Sequence, residues 1–133
     1  MSRRLLALGA VVALVLAPAC KDGPSGPVAG TLNVKITMPQ GSSGNDGAIL
    51  FTVTGPAVPA SAAAGAGFQA YSQSPLALTT KHVVTGTLTT GATILTFNVD
   101  DVRQRYTATI QQVAASGYQL RASLTGYTLS VTR

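Results

Sequence analysis

From Thr31 onward the chain consists of short alternating runs, each closed by glycine, proline or small polar residues, a spacing that favours strands over long helices. In Thr31–Met38, the side chains of Leu32, Val34, Ile36 and Met38 point one way. Thr31, Asn33, Lys35 and Thr37 point the other, which is the two-residue period of a half-buried strand. Thr93–Val99 repeats the pattern with Leu95, Phe97 and Val99, Tyr106–Ile110 with Tyr106, Ala108 and Ile110, and Tyr127–Thr132 with Tyr127, Leu129 and Val131. Ala48–Thr54 is apolar on both faces at Ile49, Leu50 and Phe51, which predicts a central strand.

The remaining segments are read from their breakers. Thr80–Leu88 predicts a strand with a kink or bulge at Gly86. Phe68–Tyr71 reads as a short strand ended by Ser72–Pro75, and the alanine-rich Ala57–Gly67 as a loop. Asp100–Arg105 suggests one helical turn with Asp100 as its cap, and Gln111–Gly117 a turn. Tyr118–Leu124 fits either a short strand or an ordered loop. The chain has no Trp, and its only acids are four Asp residues, so the Glu common on the wet faces of helices is missing. Thr and Val take the polar and apolar places, as suits a pleated surface. The expectation is an all-β fold: an antiparallel two-sheet β-sandwich of about seven strands over residues 31–133.

Residues 1–19 carry a different signal. Arg3 and Arg4 precede the apolar run Leu5–Ala17, and Pro18 and Ala19 lead into Cys20, the only cysteine. A positive head, a short apolar middle and a small-residue exit make an N-terminal signal helix that is cleaved on export. As a helix the apolar run reaches only about 20 Å, too short for a core of about 30 Å. Residues 20–30 then read as a tether, because the prolines and glycines of Lys21–Gly30 oppose both helix and sheet interior.

The stretch Leu16-Ala17-Pro18-Ala19-Cys20 resembles the lipobox of bacterial lipoproteins. The resemblance implies cleavage before Cys20 and a covalent lipid on its thiol, with no other cofactor. The family's usual Leu three residues before the cysteine is Ala17 here. Cleavage after Ala19 with an unlipidated Cys20 is therefore the alternative. The resemblance implies a membrane-anchored protein of the cell envelope, at the outer membrane or cell surface rather than the inner membrane, because Lys21 and not Asp follows the cysteine. Over Thr31–Arg133, the segments NDGAILFTVTGP, GATILTFNV and GYTLSV are similar to those of compact immunoglobulin-like or cohesin-like sandwiches and of small bacterial lipoproteins. That likeness implies a sandwich with a non-catalytic binding or structural role. The alternative is a secreted cohesin-like or carbohydrate-recognition module without an anchor.

Candidate chemistry is sparse. His82 is the sole histidine and lacks Cys or Glu partners, so it reads as a strand histidine without a catalytic task. No serine sits in a Gly-x-Ser-x-Gly elbow, and no enzyme activity is expected. Asn98, Asp100 and Asp101, with Asn45 and Asp46, are weak calcium candidates without EF-hand spacing. Phe68, Tyr71 and Tyr118 are candidate ligand contacts, since planar rings stack on sugars, whereas Tyr106 and Tyr127 fit core positions. The seven basic residues beyond the signal are scattered, which argues against a nucleic-acid partner. The partners expected are a membrane, through the lipid, and a protein or polysaccharide ligand.

Overall fold

A computed structural model describes residues 26–76 and 78–133. The expected signal helix, Cys20 and the first part of the tether lie outside the described residues. The remainder is all-β, with eight strands in two antiparallel four-stranded sheets. They are β1 (Gly30–Thr37), β2 (Asp46–Thr54), β3 (Ser61–Ala64), β4 (Gln69–Leu76), β5 (Thr79–Leu88), β6 (Thr93–Val99), β7 (Thr107–Ala115) and β8 (Thr128–Thr132). One sheet has the order β3-β6-β1-β8 and the other β4-β5-β2-β7. Only β4 and β5 form a hairpin within a sheet; every other connection passes from one sheet to the other.

The alternation seen in the sequence becomes the interior of the sandwich. Leu32, Val34 and Ile36 of β1 face Ile49, Phe51 and Val53 of β2, and all six are buried. Leu95 and Phe97 pair with Val34 and Leu32, while Val84 and Val113 flank Ile49 from β5 and β7. Phe97 meets Tyr106 edge-on, with ring centroids 5.6 Å apart, a favoured aromatic geometry. Ile49, Leu50 and Phe51 do lie centrally, because β2 is hydrogen-bonded on both sides.

Four segments differ from expectation. Ala57–Gly67 contains β3, an edge strand pairing Ala62 with Phe97 and Ala64 with Leu95. Backbone pairing on an edge needs no bulky side chain, and Gly65 lies so close to the Thr93 carbonyl that a Cβ there would collide with it. Ser72–Pro75 does not break the chain. Ser72 and Gln73 pair with His82 and Lys81, and the ladder shifts register before Leu76, as an edge strand with a proline can. Asp100–Arg105 is a turn, and its cap is Asp101, whose carboxylate accepts the Arg103 backbone N–H at 3.0 Å. Gln111 does not start a turn: β7 runs to Ala115, with a register shift opposite Leu50 and Phe51. That shift changes the alternation from Ile110 to Val113, so both lean inward.

Tyr118–Leu124 is an ordered loop held by a bridge between Leu120 and Ala114. Its anchor is Asp46, buried to 1 % exposure. Arg121 donates to Oδ1 from Nε at 2.7 Å and from Nη2 at 2.6 Å, while the Tyr127 hydroxyl donates to Oδ2 at 2.6 Å. Removing a buried carboxylate's charge from water is expensive unless such donors replace the hydration. Asp46→Ala leaves the Tyr127 hydroxyl without its partner and frees the loop. We expect it to lower stability by about 3 kcal/mol, read as a fall in the urea midpoint. Removing the exposed Asp101–Arg103 pair by Arg103→Ala should leave that midpoint nearly unchanged.

Candidate functional site

The three aromatic candidates have different environments. Phe68 is half-buried, packs against the core and abuts Gly86. It therefore belongs to the structure of the β4–β5 edge rather than to an open face. Tyr71 is 59 % exposed on the outer face of the second sheet. It pairs with Val83, which pairs with Leu50, which pairs with Gln112, so these four side chains form one cross-strand row. The Tyr71 hydroxyl donates to Gln69 Oε1 at 3.1 Å. In the next row are Gln69, Thr85, Ala48 and Ala114, with Leu120 beside Ala114.

Tyr118 stands at the end of this face, 93 % exposed and with φ at +70°. A left-handed conformation costs a non-glycine residue about 1 kcal/mol. The neighbouring Gly117 could take it at no steric cost but does not. The turn is fixed by the Tyr118 N–H donating to the Ala115 carbonyl at 2.9 Å and by the Ala115 N–H donating to the Gln119 carbonyl at 2.8 Å. Tyr118 borders a cleft of about 500 Å³ lined by Gly47, Ala48, Gly86, Thr87 and Ser116, among others.

The cleft arises from irregular strand pairing. Between Asp46 and Ala48 the register shifts against both β5 and β7. Asp46 is drawn inward to Arg121 and Tyr127; Gly47 is the extra residue against β7, whereas against β5 the extra residue lies on β5, where Gly86 and Thr87 stand opposite Gly47. On β5 the same irregularity includes Gly86, with φ at +141°, where Phe68 also leaves no space for a Cβ. The bulge expected at Gly86 is therefore present. Ala48 also lines a shallower hollow with Leu50, Val83, Gln112 and Leu120, so the Tyr118 cleft continues along the outer face toward the Tyr71 row.

The calcium candidates do not converge. The Asn98 carbonyl oxygen accepts from Thr31 at 2.8 Å and its amide donates to Ser61 at 2.8 Å. Hydrogen bonds from the Arg103 side chain hold Asp101 far below the usual carboxylate range. Asp100 is exposed, Asn45 donates to the Gly41 carbonyl, and Asp46 is committed to Arg121 and Tyr127. Among the described residues, no three His, Cys, Asp or Glu side chains are grouped to hold a metal ion.

His82 is 3 % exposed and faces the inter-sheet space beside Phe51. Its Nδ1 lies 2.7 Å from the Ser72 hydroxyl and its Nε2 2.8 Å from the Thr80 hydroxyl. Thr80 reaches the Val53 carbonyl at 3.4 Å. If the Thr80 hydroxyl donates there, it accepts from Nε2–H, and Ser72 donates to Nδ1. A serine nucleophile uses a similar pair, but its histidine is backed by a carboxylate that holds the imidazolium. Here the chain ends on a peptide carbonyl, an arrangement suited to keeping the imidazole neutral.

Compared with known proteins, the chain matches no family model, no curated protein and no solved structure.

Burial lowers the His82 pKa from its ordinary 6.5. The unfolded chain therefore takes up this proton at a higher pH than the folded one. The stability His82 contributes is complete above pH 6.5 and is lost as pH falls through the lowered folded value. We expect the urea midpoint to drop between about pH 7 and pH 5. His82→Gln, which cannot titrate, should flatten that dependence; an equal drop in the variant would assign the acid sensitivity to another group.

Proposed function

We propose that this protein is an exported bacterial lipoprotein whose non-catalytic β-sandwich, of immunoglobulin-like or cohesin-like kinship, serves a recognition or structural role at the cell envelope. The observation that carries this reading is the placement of Cys20 directly behind Arg3, Arg4 and the apolar run Leu5–Ala17, with Pro18 and Ala19 between. A diacylglyceryl group on the thiol, joined by an acyl chain on the new amino group, buries enough CH₂ groups at about 0.8 kcal/mol each for stable attachment. Lys21 favours the outer membrane or cell surface over the inner membrane.

The fold supports this reading through the position of its two ends. The chain enters the domain beside the β6–β7 turn, where the Arg103 guanidinium donates to the Gly26 carbonyl and the Val102 N–H donates to the Val28 carbonyl. From there β1 runs eight residues, roughly 25 Å, to the opposite end. β2 begins at that far end with Asp46, beside the Tyr118 cleft. A domain held through residues 20–30 thus presents its cleft away from the point of attachment.

Mass spectrometry of the membrane-extracted protein should find Cys20 as the first residue, carrying thioether-linked diacylglycerol. Cys20→Ser should leave the unprocessed precursor and abolish the lipid adduct. A native protein that starts at Cys20 with a bare thiol and washes off membranes would instead be the secreted module without an anchor.

A further inference from the structure

We infer that the outer face of the β4-β5-β2-β7 sheet, from the Tyr118 cleft across Ala48 and Leu50 to Tyr71, binds a chain of uncharged sugars. The inference rests on the recognition reading above and gives it a ligand class. Three observations meet at this face. Tyr118 stands almost fully in solvent in a left-handed conformation fixed by the turn between Ala115 and Gln119. A ring held out in this way exposes an apolar plane against which the C–H face of a pyranose can lie, with the hydroxyl left in water.

The second observation is the double register shift around Gly47. It interrupts the ladder and opens a cleft of about 500 Å³ whose floor is mostly glycine, alanine and hydroxyl side chains. Small residues let a ligand approach the backbone closely, and Thr87 and Ser116 can both donate to and accept from sugar hydroxyls. The third is charge. The one ionised side chain lining the cleft, Asp46, has its carboxylate committed to Arg121 and Tyr127. Lys81 lies beyond Tyr71, in the row formed by Gln73, Lys81, Thr52 and Thr109. Within the Tyr71 and Ala48 rows, the polar groups are the amides of Gln69 and Gln112 and the hydroxyls of Tyr71 and Thr85, all uncharged.

This chemistry favours a neutral glycan over a protein partner. The apolar strip of Leu50, Val83 and Leu120 is narrow, whereas a stable protein interface takes about 800 Å² from each side with an apolar centre. A glycan needs only a ring to stack on and hydroxyl partners along a groove. Tyr118 at one end and Tyr71 at the other provide stacking positions for separate units of one chain. The site also lies at the end of the domain remote from residues 26–30, so a tethered molecule could reach a polymer beyond its own membrane.

The test is affinity electrophoresis of the full chain in nonionic detergent, through gels containing hydroxyethylcellulose, xylan, galactomannan or, as the charged control, alginate. We expect retardation by at least one neutral polysaccharide, unchanged at high salt because no ion pair is involved. Tyr118→Gly should weaken that binding about tenfold. Its Tm should stay equal or rise, because glycine suits the left-handed position. Tyr71→Ala should weaken binding several-fold without shifting the Tm. Failure of every neutral polysaccharide to retard the native chain would overturn the inference, as would retardation by alginate alone that disappears in salt. So would undiminished binding by Tyr118→Gly. The lipid on Cys20 is read separately by mass, so a lipidated chain that ignores all sugars refutes the ligand class and leaves the anchor standing.

Discussion

The carboxylate of Asp46 ties together parts of the chain that no sheet ladder joins. It sits at the first residue of β2 and takes donors from Arg121, in the loop after β7, and from Tyr127, at the entrance to β8. β2 and β8 belong to different sheets, so the cluster clamps the sandwich at one end. The only cysteine is Cys20, so no disulfide can perform this task. A buried ion pair adds little over a well-packed apolar substitute, but any arrangement that leaves it half made is penalised heavily. Its effect is to specify where the loop and β8 must go.

The same cluster shapes the surface. Turning Asp46 inward leaves Gly47 out of register with both neighbouring strands, and the sheet opens there. Bulges commonly occur where a sheet must present something other than a continuous ladder. Here the opening lies between Gly86 on one side and Ser116 on the other, with Tyr118 above it. Interior electrostatics and surface shape are therefore linked through one residue. His82, buried with its partner Thr80, acts differently: with both ring nitrogens matched to hydroxyls, it fills space beside Phe51 as a neutral ring.

Most strands were legible because a half-buried strand writes its period directly into the chain, as Leu32-Val34-Ile36 and Leu95-Phe97-Val99 do. β3 was not legible, since an edge strand of Ser and Ala carries no period and is defined by its pairing with β6. The length of β7 was hidden by the shift near Gln111, which changes the phase of the alternation midway. Of the three aromatic candidates, Tyr71 and Tyr118 are open and Phe68 is not. That distinction depends on register against β5 and on the space beside Gly86. The left-handed backbone at Tyr118 follows from the hydrogen bonds of the turn between Ala115 and Gln119, which no local pattern displays.

The sequence by itself determined the all-β class, the faces of the strands and most of the core, because side-chain alternation and turn chemistry act over a few residues. It also contains the charged head, apolar run and cysteine from which the anchored reading starts. Only the tertiary structure decided that Asp46 holds Arg121 and Tyr127, and that a β2 bulge at Gly47 coincides with a β5 bulge at Gly86 and Thr87. It alone placed Tyr118 and Tyr71 along one exposed face. Those facts depend on contacts between residues as many as 81 positions apart, and local patterning carries no record of which distant partner a polar residue will meet.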